Sequence, residues 1–184
     1  MSIADYIREI FHTDETLPFE TFAASYKKGD IITAINQMET NAYFLKEGVV
    51  QVAADKDGEE KIIDFFYPPN FVCSYSSFLS GTPSDVEICC LTDVVVEIVP
   101  LNKLLVAYEH SLIANKLGRY VTEHFFLVKT RREKDFLLKS AEERYRELMQ
   151  NRPELIEQIP VHKIAKYLGI HPESLSRIRK NIIS

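Results

Sequence analysis

The sequence predicts an α+β protein in three parts: a strand-rich N-terminal half, a long connecting helix and a C-terminal helix-turn-helix. Three observations carry this prediction. Residues 19–99 are rich in Val, Ile, Phe, Tyr and Thr, with turn signals at regular intervals. From Leu101 to Asn151 there is no proline and a single glycine, Gly118. Val161 to Lys180 then reads as two short helices hinged at Gly169. The expected boundaries are 1–100, 101–138 and 139–184.

The elements follow in order. Residues 2–12 place Ile3, Tyr6, Ile7, Ile10 and Phe11 at helical spacing. The turn signals of the strand region are Lys28-Gly29-Asp30, Glu47-Gly48, Asp57-Gly58, Pro68-Pro69-Asn70 and Ser80-Gly81-Thr82-Pro83. Asp57-Gly58 favours a tight hairpin, because glycine accepts positive φ without steric cost. It is expected to join Ala42–Ala53 to Glu60–Phe66. Short strands at this spacing suggest an all-β sandwich or barrel.

Residues 103–139 have a helical apolar pattern. Ile113, Leu117, Tyr120, His124, Leu127 and Arg131 recur in alternating steps of four and three, a coiled-coil-like seam. Pattern alone leaves two readings open, a dimerisation helix or a helix buried in its own domain. Ser140 to Gln150 reads as a further helix, and Asn151-Arg152-Pro153 ends it.

In the helix-turn-helix, Ile164 and Leu168 form the inner face of the first helix. Ala165 sits at the close approach, and Gly169 supplies the turn. Ile170 buries after the turn, Pro172 fits the first turn of the second helix, and Leu175 and Ile178 form its inner face. The second helix then presents His171, Glu173, Ser174, Ser176, Arg177 and Lys180 outward. Arg pairs with guanine O6 and N7, and Glu accepts from cytosine N4. Lys163, Lys166, Arg179 and Lys180 suit phosphate contacts, with His171 and Ser174 as further DNA contacts.

The formal net charge of −5 argues weakly against a nucleic-acid binder. Its distribution reverses that argument. Residues 1–128 hold 9 Lys/Arg and 19 Asp/Glu, whereas residues 129–184 hold 13 and 8. The two parts, at −10 and +5, suit different partners. No apolar stretch reaches the roughly 20 residues of a membrane span, and MSIADYIREIFH does not read as a signal peptide. The expected location is the cytoplasm. Cys73, Cys89 and Cys90 lack CxxC spacing, and the histidines form no HxH or HExxH, so no metal site is expected. No nucleophile–base pairing marks a catalytic site, so no enzyme is expected.

With these residues in place, nearly the whole chain resembles the Crp/Fnr family of bacterial transcription regulators. The stretch from Tyr26 to Ile88 has the rhythm of a cyclic-nucleotide-binding-type β-roll, with turns at Lys28-Gly29-Asp30, Gly48 and Asp57-Gly58. Leu101 to about Leu137 resembles the family's central dimerisation helix. Glu173-Ser174-Leu175-Ser176-Arg177 matches the E-x-x-S-R pattern of an Fnr-type recognition helix. The resemblance implies a double-stranded β-helix type of roll and a homodimeric, ligand-modulated regulator that binds double-stranded DNA and contacts RNA polymerase. It implies that Glu173, Ser176 and Arg177 read base edges of a roughly palindromic, TTGA-containing operator.

Two departures qualify the resemblance. The family's nucleotide cassette, F-G-E-x(n)-R-[ST], reads here as Phe71-Val72-Cys73-Ser74-Tyr75-Ser76-Ser77-Phe78 and then Gly81-Thr82-Pro83-Ser84-Asp85. Ser74 stands for the Glu that holds the ribose hydroxyls, and Ser84 and Asp85 stand where the phosphate-binding Arg would be. Cyclic AMP is therefore not expected to bind. Cys73, Ser74, Tyr75, Ser84 and Asp85 would line a pocket that holds either another, unidentified effector or nothing, and no cofactor is expected. The family's β-hairpin wing is also missing after Asn181-Ile182-Ile183-Ser184, which is expected to weaken DNA binding. The alternative function is a ligand-binding or protein-interaction module that has lost productive DNA binding.

Overall fold

The computed structural model describes residues 1–183 of the chain, without the side chain of Ile183. Ser184, the last of Asn181-Ile182-Ile183-Ser184, lies outside the described residues. Helix α1 (Ile3–Phe11) starts at a capping box in which Ser2 and Asp5 satisfy each other's backbone N–H. Its Ile3 and Ile7 are buried, and Tyr6 packs on Phe44 and Phe71.

Eight strands follow: β1 (Phe22–Tyr26), β2 (Ile31–Thr33), β3 (Asn41–Glu47), β4 (Val50–Lys56), β5 (Glu59–Phe66), β6 (Asn70–Val72), β7 (Glu87–Cys90) and β8 (Val94–Pro100). They form two antiparallel sheets of order β1-β8-β3-β6 and β2-β7-β4-β5. The alternation of the strands turns Tyr43, Leu45, Val50, Val52, Ile88, Val94 and Val96 into a core between the sheets. Helix α2 (Tyr75–Ser80) sits between β6 and β7.

The β4–β5 hairpin closes through Asp57 and Gly58, both at positive φ, as its two-residue turn demands. The expected strand Ala42–Ala53 is two strands in different sheets. The chain reverses at Gly48, where a side chain would collide with the backbone carbonyl of Asp93.

The helical half also differs from one uninterrupted rod. Helix α3 (Leu101–His110) and helix α4 (Leu112–Leu138) meet at Ser111, whose backbone is extended and whose hydroxyl caps α4 through the Ala114 N–H. Leu104, Ala107, Ile113, Ala114 and Leu117 pack with Ile3, Ile7, Phe44 and Val99 as a second core on the outer face of the first sheet. Helix α5 (Ala141–Asn151) begins at a second capping box, Ser140 with Glu143. Arg152-Pro153 breaks the chain for only one residue, because Pro153 starts a short helix α6 (Pro153–Gln158). Helix α7 (Val161–Leu168), the Gly169 turn at φ 71° and helix α8 (Pro172–Ile183) are the last described elements.

Gly118 has a specific steric reason. The Tyr108 ring of α3 lies across it, and an added Cβ would overlap the Tyr108 hydroxyl and ring. Gly118→Ala is therefore expected to destabilise the protein by about 1–3 kcal/mol, the usual cost of overpacking, despite alanine's better helix propensity. Urea unfolding measures it; unchanged or increased stability refutes the seating of Tyr108 on α4.

Candidate nucleic-acid interface and cassette region

Helix α8 is anchored by Leu175, fully buried against Ile164, Ala165 and Leu168 of α7. That anchor fixes which residues face out. Glu173, Ser176, Arg177 and Lys180 lie at i, i+3, i+4 and i+7, so they form one stripe, and all four are exposed. His171 and Ser174 flank its N-terminal end and are exposed too, while Arg179 is half-buried. The structure thus brings together the three residues expected to read bases.

It does not bring Lys163 and Lys166 to that stripe. Both reach from α7 to the β-roll. Lys163 Nζ lies 3.0 Å from Glu60 Oε1 and 2.7 Å from Gln51 Oε1, and Lys166 Nζ lies 3.0 Å from Glu60 Oε2. Gln51 also donates to Glu60, at 2.6 Å. Burial works to raise the Glu60 carboxyl, but the hydrogen bonds from Lys163, Lys166 and Gln51 outweigh it and lower its pKa to about 2. Beside this cluster, Arg152 pairs with the buried Asp64 at 3.1 Å. Arg132 stacks over Tyr167, 3.8 Å from the ring centroid, and Arg144 over Phe136 at 4.5 Å. Ile62 and Phe65 of β5 share one apolar cluster with Tyr145, Leu148, Ile164 and Leu168. The helix-turn-helix is therefore docked on the β4–β5 hairpin.

In the cassette, Ser74 and Ser84 are both buried and their hydroxyls lie 2.6 Å apart. Ser84 also bonds the Val86 carbonyl at 2.7 Å. Below them, the buried carboxylate of Glu39 accepts from the Thr33 hydroxyl and from the backbone N–H groups of Ser74, Thr40 and Asn41. Burial pushes the Cys73 thiol up to about 12, so it is a neutral, inert filler. Tyr75 leaves the cassette for α4, where its hydroxyl lies 2.7 Å from Thr122 Oγ1. Asp85 is exposed and accepts from the Ser76 hydroxyl. No Lys, Arg or His occurs between Phe71 and Asp85.

The expected helix seam is also redistributed. Ile113 and Leu117 are buried in the chain's own core, and Tyr120 packs on Tyr6 and Phe11. His124, Leu127 and Arg131 of that set face outward. The exposed apolar residues of α4 are Leu112, Phe126, Leu127, Phe136, Leu137 and Leu138, with Tyr120 at the margin. The first half of α4 must cover the outer face of a sheet, which is why the seam's early members turn inward.

Sequence reading had overlooked Glu39, Glu60, Asp64 and Arg152. Asp64 did carry a signal: it is a lone charge within Ile62-Ile63-Asp64-Phe65-Phe66, and a buried charge requires a partner. Among the described residues no cluster of His, Cys, Asp or Glu suits a metal ion, and no helix is long and apolar enough to cross a membrane.

Residues 23–111 match the family model of the cyclic nucleotide-binding domain. The chain is similar in structure to FixK2 from Bradyrhizobium japonicum, with a TM-score of 0.75 and 18% identity over 89% of this chain and 84% of that one. It is similar to a protein described as a transcriptional regulator of the Crp/Fnr family from Eubacterium rectale, with a TM-score of 0.71 and 18% identity over 88% and 78%. The c-di-GMP-responsive global regulator CLP of Xanthomonas campestris gives 0.70 and 16% over 88% and 86%. No curated protein matches the chain. At these identities the likeness establishes a shared fold, and it spans both the β-roll and the helical end.

Glu39→Ala leaves one hydroxyl and three backbone N–H groups without their acceptor. A loss of at least about 2 kcal/mol is expected, because the donors of the buried Thr33 and Ser74 would be left unpaired and carry the full desolvation penalty. Chemical denaturation measures it, and a loss below 0.5 kcal/mol, roughly the size of a typical surface change, rules out a bracing role for Glu39.

Proposed function

We propose that this chain, which carries a cyclic nucleotide-binding domain on the fold of the Crp/Fnr transcription regulators, is a sequence-specific DNA-binding regulator of that type. The observation that carries the reading is the stripe Glu173, Ser176, Arg177 and Lys180, exposed on a helix held rigid by the buried Leu175. An acceptor, a hydroxyl, a guanidinium and an ammonium on adjacent turns suit the edges of successive bases and the flanking phosphate. In this reading the protein is no enzyme; it works in the bacterial cytoplasm, where RNA polymerase is its further partner.

We take the working unit to be a homodimer paired through the outward face of α4. Phe126, Leu127, Leu137 and Leu138 are the apolar side chains available there. Two copies would cover them and set two recognition helices about one turn of DNA apart. The cassette bears on the effector. Ser74 and Ser84 satisfy each other, and no cation is present between Phe71 and Asp85 to pair with a cyclic phosphate. On this reading cyclic AMP is not the effector.

Selection from random duplexes at moderate salt is expected to enrich a two-fold-related site. Enrichment of no sequence over random DNA refutes the reading. On the selected site, Arg177→Ala is expected to relax the preference at one position in each half-site, at a cost of about 1–3 kcal/mol. Equal weakening on every sequence makes Arg177 a phosphate contact instead. For the dimer, Phe126→Glu with Leu137→Glu is expected to convert a dimer to a folded monomer in sedimentation analysis. An unchanged dimer places the interface elsewhere.

A further inference from the structure

We infer that Glu60 is a positioning residue for DNA reading: its carboxylate clamps Lys163 and Lys166 and fixes the helix-turn-helix on the β4–β5 hairpin. The inference rests on the DNA-binding reading above and adds an element that orients the reading helix.

Three donors converge on this one carboxylate: Lys163 at 3.0 Å, Lys166 at 3.0 Å and Gln51 at 2.6 Å. Gln51 closes a ring, because its carbonyl accepts from Lys163 at 2.7 Å while its amide donates to Glu60. It is also 2% exposed and set in β4, so the ring is rooted in the β-roll. The Lys163 side chain is only 18% exposed, so this is not a freely solvated pair. Four residues along the same strand, Asp64 takes Arg152 from the start of α6. Two ionic ties therefore run from β5 to two separate helices of the C-terminal part.

The clamp has a direction of use. In a helix-turn-helix the first helix crosses the DNA backbone and the second enters the groove. Lys163 and Lys166 are on the first helix, and ammonium groups held on Glu60 are withdrawn from phosphates. Glu173, Ser176 and Arg177 on the second helix stay exposed in the same docked arrangement. Docking thus leaves base reading open and removes two sequence-independent attractions. Both effects favour specific over non-specific binding. In a dimer, two helices held at one angle match half-site spacing, whereas a swinging pair does not.

The test uses the full chain and Glu60→Gln, a substitution close in shape. Amide hydrogen exchange without DNA reports the clamp itself. Exchange in α7 is expected to accelerate at least about tenfold, as for loss of a local docking contact. The ratio of affinities for the selected site and unrelated DNA reports its use. That ratio is expected to fall about tenfold, partly because freed lysines strengthen binding to any sequence. Lys163→Gln with Lys166→Gln must reproduce the faster exchange from the other side of the clamp. Glu60→Lys with Lys163→Glu and Lys166→Glu must restore both protection and ratio. Unchanged exchange in E60Q overturns the clamp. Faster exchange with an unchanged ratio overturns the positioning role and leaves a structural contact. Should the wild-type protein prefer no sequence, the positioning role falls with the DNA-binding reading, and faster exchange in E60Q identifies that as the cause.

Discussion

Strand β5 has two faces to bury, and much of the molecule's arrangement follows from that. Ile63 and Phe66 pack toward the interior of the roll, while Ile62, Asp64 and Phe65 point the other way. β5 is also the last strand of its sheet, so its outer face and free edge would otherwise meet water. Covering an Ile and a Phe contributes about 1.5–3 kcal/mol each. The partly buried ion pairs give back much of their Coulombic gain in desolvation. The apolar contact therefore supplies most of the docking energy between the β-roll and the helical end. The ionic contacts are directional, and they select one orientation among those that the apolar contact permits.

Asp64 makes that selection strict. Its side chain is 3% exposed, and Arg152 is the cation that reaches it. A carboxylate in that position cannot tolerate an arrangement in which the helical end slides away, because an uncompensated buried charge costs about 3–5 kcal/mol. The same reasoning explains Arg132 and Arg144, whose guanidinium groups lie over the aromatic rings of Tyr167 and Phe136 and donate to the carbonyls of Tyr167 and Leu168. These carbonyls belong to the last turn of α7, where the helix leaves its own acceptors free. Much of the basic surplus of residues 129–184 is thus engaged within the chain. The charge available to an external anion is therefore smaller than the +5 of the sequence.

The sequence made the helix-turn-helix legible because every constraint there is local: a small residue at the close approach, a glycine at positive φ, a proline at the first helical position. The hairpin at Asp57-Gly58 was legible for the same reason. The break at Ser111 was not, since a serine cap inside an apolar periodicity looks like any polar helical residue. Lys163 and Lys166 illustrate the harder case. Their residue type and spacing fit phosphate contacts well, and their actual partner lies more than a hundred residues away on β5. Periodicity likewise could not say which neighbour an apolar helix face meets. Ile113 and Leu117 keep perfect seam spacing and nevertheless face the first sheet.

The cassette region departs from the pattern it resembles without loss of fold. A buried arginine would require an anion to accompany it; two serines joined to each other require nothing. The segment retains a mechanical connection instead. Thr122 donates to the Gly118 carbonyl, so the Tyr75 hydroxyl is the donor to Thr122. Phe125, one turn further along α4, contacts both Tyr75 and Phe66. Phe66 is the end of β5, the strand on which the helix-turn-helix rests. The cassette, the long helix and the docking strand therefore meet at one aromatic contact. Any change that moved Tyr75 would act on α4 and on the seat of the helix-turn-helix together.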